Sequence, residues 1–448
     1  MNETNLENKA YNFVQKVKIF EDPKKTNDNQ NWKGSSSHLG VIDLSDKIVD
    51  NEIIVREYMS DLSDYKIYII RDSIRYGFIE SDYYELYKFV YELSEWNNIQ
   101  QNVSIEYLKE KIISWIVDVH INNVSRINLF IYLDEKLKKD INKYRFCFPI
   151  LNIDIEKDFN IGDSKIMYFS KEYFDEFYKF QLSKIQSSEE YSEEIFNKLY
   201  RKYQGQVFVA IDVFAESKKA EIIAYENACF IVDVLKICGP AIQFPNEVCY
   251  LELESRMPFS YNYLRFKNDN HFDFSITTKV NRQQMLPFDS KLVNSYKVFF
   301  DEFGRLINSK YNSEMEKIVK NSLIFFSKFI SETDLHLRIS QLIMILESIF
   351  LLDEEKYKME NKAKRRFIDF RFNSNKKKKN DFSEILTEMY QVRHKMTHKS
   401  IRIYIDYKKL RIFQIEMINL FYSLLKQCNM FNSKELLITY LNEKANPS

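Results

Sequence analysis

From about residue 290 to the end of the chain, apolar side chains return every three or four positions with almost nothing to interrupt them. Segments near 290–307, 313–330, 334–352, 355–371, 382–397, 403–427 and 433–444 have this helical period. Leu410, Phe413, Met417, Leu420 and Leu424 make one apolar face, and Leu335, Ile339, Leu342, Leu346 and Ile349 make another. A stripe of that kind has to be buried against its neighbours, so the stretch reads as a helical bundle. Seven glycines and seven prolines in 448 residues supply few of the breaks that a sandwich or barrel needs. Ser313 and Glu316 are spaced as a capping box, which marks one helix start.

Upstream the period changes. Residues 1–45 read as a weakly structured lead-in, because 22–30 and Gly34–Gly40 are rich in turn formers. The Gly-Ser run there lacks the Gly-Lys-Ser/Thr ending of a phosphate loop and reads as a linker. Residues 58–120 look mostly helical. Apolar residues alternate along Tyr144–Ile150 and at Leu151, Ile153 and Ile155, as in strands, and Val207–Phe214 reads as a strand buried on both faces. Helices are expected over 171–203 and 220–238, the second ended by a left-handed Gly239 and by Pro240. Short strands follow to about 285. The expected class is α+β: a mixed α/β regulatory or recognition domain over 46–288, then an all-α bundle over 289–448.

Lysine plus arginine equals aspartate plus glutamate at 65 each, so no global field draws the chain to nucleic acid or membrane. Five cysteines without paired or metal-type spacing, no basic and apolar leader, and no spanning segment point to the cytoplasm. His38, His120, His271 and His336 have no metal-ligand spacing, and neither a metal nor a cofactor is expected.

Against that background one stretch stands out, Tyr390-Gln-Val-Arg393-His394-Lys395-Met-Thr-His398, on a predicted helix whose stripe is Ile385, Met389, Val392 and Met396. An Arg followed at this distance by a His arises by chance on the order of once in such a chain. Arg265 and His271 are such an instance, in an Asn/Asp-rich stretch without helical period. The context of Arg393 is different. Leu346-Glu347 in the upstream stripe, the basic pair Arg365 and Arg366, and Tyr390-x-x-Arg393-x-x-x-x-His398 together resemble the Apea-like HEPN family over roughly residues 330–430. Members often have Gly soon after the His; here Lys399 and Ser400 follow.

The resemblance implies a metal-independent endoribonuclease, toxin-like and acting in antiphage defence, which works as a homodimer on RNA. The residue types suit that chemistry. RNA carries its own nucleophile in the ribose 2′-hydroxyl. An imidazole such as that of His398 can serve as general acid or base and shuttle the protons. A guanidinium such as that of Arg393 can hold the phosphoryl oxygens with a fixed fork of donors. The family pattern gives Glu347 the task of orienting Arg393 and includes Tyr390 as a supporting residue, while His394 and Lys395 read as supporting residues that contact substrate or set the polarity of the cleft. Arg365, Arg366 and Lys376, Lys377, Lys378 and Lys379, the last four read as a loop between helices, are candidate phosphate contacts.

Five residues along a helix turn about 500°, which leaves Arg393 and His398 roughly 140° apart. Either the helix ends or distorts near Thr397, or a second copy completes the site. Other readings are a non-catalytic HEPN module that binds RNA or nucleotide or serves as a dimerisation scaffold, and a helical scaffold with an accidental Arg–His match. The ligand or trigger of the N-terminal domain is not encoded in any motif.

Overall fold

The computed structural model describes residues 3–20, 54–58, 65–71, 74–122, 128–172, 175, 197–247, 249, 251–254, 263–267, 272–275, 286–307, 313–372 and 375–445. The fold is mixed α and β, as the alternating and helical periods require. It divides into two compact units, residues 1–143 with 214–221, and residues 144–213 with 222–448. The division does not fall at 288.

In the first unit, α1 (Glu3–Val14) leads into β1 (Lys18–Phe20), followed by β2 (Ile54–Tyr58), β3 (Tyr65–Arg71) and β4 (Ile74–Ile79). These strands form an antiparallel sheet in the order β1-β4-β3-β2. Then come α2 (Glu80–Glu95), a 3-10 turn (Trp96–Gln101), α3 (Ile105–Asn122) and α4 (Leu129–Asp140). Leu6, Ala10 and Phe13 of α1 are buried in one core with Phe78, Phe89, Ile112, Trp115 and Ile116. The lead-in reading of residues 1–45 is thus corrected for 3–20; the Gly34–Gly40 run lies outside the described residues. The helical reading of 58–120 is corrected at β3 and β4, where Tyr65-Lys-Ile-Tyr-Ile-Ile is rich in the aromatic and β-branched residues that suit strands.

The second unit contains most of a seven-stranded sheet. Its strands are β5 (Asn142–Leu151), β7 (Phe159–Ile161), β8 (Ser164–Tyr168), β9 (Val207–Ala215), β10 (Glu252–Leu253), β11 (Tyr263–Lys267) and β12 (Phe272–Ser275). Their order is β12-β11-β5-β9-β8-β7, with β10 also on β5, while β6 (Ile153–Ile155) pairs in parallel with β13 (Leu286–Phe288). Val207–Ile211 of β9 are buried, yet Phe214 is exposed, so its burial on both faces stops short of the strand's end.

Two helices follow β9, α5 (Ser217–Ile237) and the short α6 (Pro240–Gln243). Gly239 between them is not left-handed: at φ −77° and ψ 170° it caps α6 in an extended conformation. A Cβ there would lie 2.9 Å from the Lys236 carbonyl oxygen and 3.0 Å from Cys249 Sγ, so close approach rather than handedness favours glycine. Cys147, Cys238, Cys249 and Cys428 are buried and Cys229 is half-buried.

The helical region then runs α7 (Ser290–Gly304), α8 (Glu314–Ile330), α9 (Leu335–Phe350), α10 (Met359–Phe372), α11 (Lys376–Lys399), α12 (Tyr407–Lys426) and α13 (Lys434–Ala445). The Ser313–Glu316 capping box is formed in both directions at 3.2 Å. Ile339, Leu342, Leu346 and Ile349 of α9 are buried, as are Leu410, Phe413, Met417, Leu420 and Leu424 of α12. Helix α9 packs against α8, α10, α11 and α13, which places its stripe at the middle of the helical array. No helix among the described residues is long and apolar enough to cross a membrane.

Candidate functional site

The site begins with how α11 is built. Asn375 caps it, accepting from the Lys378 amide at 3.0 Å, so Lys376–Lys379 form its first turn and not a loop. Ile385, Met389 and Val392 fix the buried face, and Met396 continues it half-buried, with Ser340 Oγ of α9 3.9 Å from its sulfur. The helix continues through His398 to Lys399. Ser400 then turns left-handed at φ 53° and ψ 30°, where its amide bonds the Met396 carbonyl at 3.1 Å and the Ile401 amide reaches the Lys395 carbonyl at 3.1 Å. Paired bonds of this kind close a helix, and Gly is the residue most often found at the left-handed position.

The segment beyond is fastened to the start of α9. A ring nitrogen of His336 lies 2.8 Å from the Ile403 carbonyl oxygen, and Arg402 pairs with Asp334.

Arg393 and Glu347 meet across the α9–α11 packing. Arg393 Nη1 donates to Glu347 Oε1 at 2.6 Å, with the arginine side chain 33 % exposed and the glutamate 16 %. The pair is therefore sheltered at one end and open at the other, and a guanidinium held by one nitrogen keeps donors for a further anion. Tyr390, one turn back, lies beneath it, with the Arg393 guanidinium 5.9 Å from the ring centroid. Its buried hydroxyl makes no hydrogen bond of regular geometry. Burial, reinforced by the Glu347 carboxylate, pushes the phenol well above its ordinary range, so it stays protonated.

Lys364 of α10, which the sequence reading missed, completes this layer. Its Nζ lies 5.6 Å from the Tyr390 centroid and 2.9 Å from Glu360 Oε1. The only signal in sequence was the i,i+4 spacing of Glu360 and Lys364, which many helix surfaces share.

His398 does not join Arg393 on that face. It is exposed, and its ring lies against that of His394, also exposed, with centroids 4.6 Å apart. The helix neither ends nor distorts at Thr397, so the separation of about 140° between Arg393 and His398 stands within one chain. Lys395 is half-buried beside them.

The basic candidates separate sharply. Arg366 is 2 % exposed and donates to both oxygens of Glu355, to the Phe350 carbonyl at 2.8 Å and to Asn442, which leaves it nothing to offer a phosphate. Arg365 is exposed and bonds Asn442 at 2.8 Å. Lys376, Lys377 and Lys378 are exposed, whereas Lys379 pairs with Asp369 at 2.6 Å. Arg265 sits in β11, and His271 lies outside the described residues.

Comparison with protein-family models, with curated proteins and with solved structures finds no match.

Proposed function

We propose that the chain is a HEPN-type, metal-independent endoribonuclease whose helical bundle carries Arg393 and His398 as the working residues. The observation that carries this reading is the Glu347–Arg393 ion pair, in which a half-buried carboxylate aims a half-open guanidinium on the same helix that presents an exposed imidazole. Arg393 binds the scissile phosphate and stabilises the charge that builds on its oxygens. His398 moves the protons: one is taken from the attacking 2′-hydroxyl and one is given to the departing 5′-oxygen. Since the two side chains stand on different faces of α11, a two-fold pair of chains brings the Arg393 of one copy and the His398 of the other to one cleft. Exposed Arg365, which bonds Asn442 through one nitrogen, and exposed Lys376–Lys378 are the candidates to neutralise flanking phosphates. The setting in antiphage defence rests on the family resemblance alone.

The direct test is total RNA incubated with purified wild type, Arg393→Ala and His398→Ala in the presence of a chelator. Both side chains lie outside the core, so each variant folds and loses cleavage by at least about a hundredfold. Full cleavage by His398→Ala removes the assigned chemistry.

A further inference from the structure

The His394–His398 pair has a property that RNA cleavage does not require. Two imidazoles at positions i and i+4 of one helix present their ring nitrogens from the same face, the arrangement that puts two nitrogens on one metal ion in helical zinc motifs. Here both rings are exposed, their centroids are 4.6 Å apart, and the two residues belong to the same well-formed last turns of α11. A metal bound at about 2.0–2.1 Å from each nitrogen needs those nitrogens about 3 Å apart, which side-chain rotation alone can supply. No group of three or more His, Cys, Asp or Glu side chains that could enclose a metal occurs among the described residues, so any metal here would be held at an open edge.

We propose that His394 and His398 form a two-imidazole site for a divalent transition metal of the nitrogen-preferring class, and that its occupation switches the ribonuclease off. The inhibitory half rests on the function proposed above; the binding half stands on the helix geometry alone. Coordination takes the ring lone pair of His398, and an imidazole whose lone pair is on a metal cannot accept the 2′-hydroxyl proton. Selectivity follows ligand type: imidazole favours copper, nickel and zinc, with copper tightest, and offers nothing to magnesium, which prefers oxygen. The neighbouring cations Lys395 and Lys399 oppose the metal's charge, but Lys399 is exposed and its field is screened at ordinary salt.

The binding half is tested by calorimetric titration of the tag-free full chain with Ni2+, Cu2+ and Mg2+, beside His394→Gln, His398→Gln and a His120→Gln control from the other unit. Wild type and the control should bind Ni2+ alike and Cu2+ more tightly, with no heat from Mg2+. Each of the other two variants should bind Ni2+ at least about tenfold more weakly, because a second ligand on the same helix acts at high effective concentration. Unchanged Ni2+ affinity in either variant overturns the site. In the cleavage assay, Ni2+ or Cu2+ should stop wild-type RNA cleavage and excess chelator should restore it. Metal bound through both histidines without loss of cleavage overturns the switch. A chain that binds metal through them but never cleaves RNA contradicts the proposed function and leaves the site standing.

Discussion

Ser400 carries a backbone conformation that few non-glycine residues accept, directly after the helix that presents His398. Its left-handed φ of 53° costs a β-carbon residue more than it costs glycine. Ser400→Gly should therefore stabilise the chain by about 0.5–1 kcal/mol in a urea titration, with RNA cleavage retained. A neighbouring pair shows how far sequence reading reaches. Arg365 and Arg366 are adjacent and chemically identical, yet one is exposed and the other is buried against Glu355, 11 residues upstream, and Asn442, 76 downstream. Nothing local distinguishes them, because tertiary partners decide. Arg366→Ala leaves Glu355 without its main partner and should cost roughly 3–5 kcal/mol, whereas Arg365→Ala should stay within about 0.5 kcal/mol. The hydrogen bond from Arg366, aided by Lys362 and the Leu352 amide, holds the Glu355 carboxyl down at about 2. A depressed carboxylate stabilises the fold above its unfolded pKa, and that contribution fades as pH falls from about 4.5 toward 2. Urea midpoints measured down this range should drop less steeply in Glu355→Gln than in wild type; parallel curves would show that the pair does not govern acid stability.

Among the elements, the helices of the last third were the most legible, since their stripes are buried where the 3.6-residue period puts them. The start of α11 was not. Four consecutive lysines oppose the positive end of a helix dipole, so a loop was the natural reading, and only the Asn375 cap reveals that the helix begins there. The strands β3 and β4 were missed for the opposite reason: a short apolar run has no period long enough to tell strand from helix. Of the candidate site, the helix that carries Arg393 was legible from its period, and the Glu347–Arg393 pairing was expected from the residues flanking it. The Tyr390–Lys364 layer and the burial of Arg366 were not legible, because they depend on how α10 packs.

One joint between sheet and helices was invisible in sequence as well. Gly162, in the turn between β7 and β8, and Gly304, ending α7, touch backbone to backbone: a Cβ on Gly304 would come within 2.6 Å of Gly162 Cα, and one on Gly162 within 2.6 Å of the Gly304 carbonyl oxygen. Gly304→Ala should cost about 1–3 kcal/mol by thermal melt. An unchanged melting temperature would contradict a close backbone approach at this joint.

For the whole molecule the proposed function makes pairing the property to test. With Arg393 and His398 about 140° apart around an unbroken helix, the proposed reaction draws the two from different copies, so the active form should sediment as a homodimer at micromolar concentration. A strict monomer that cleaves RNA at full rate contradicts the composite cleft. The central claim, attack by the substrate's own 2′-hydroxyl at the Arg393 and His398 site, is tested most directly by the ends of the fragments. Cleavage in excess chelator should leave a 2′,3′-cyclic phosphate on the upstream fragment and a 5′-hydroxyl on the downstream one, and a 2′-deoxyribose at the cut site should stop it. Recovery of 5′-phosphate ends, or cleavage that vanishes with chelator and returns with magnesium, would contradict the account.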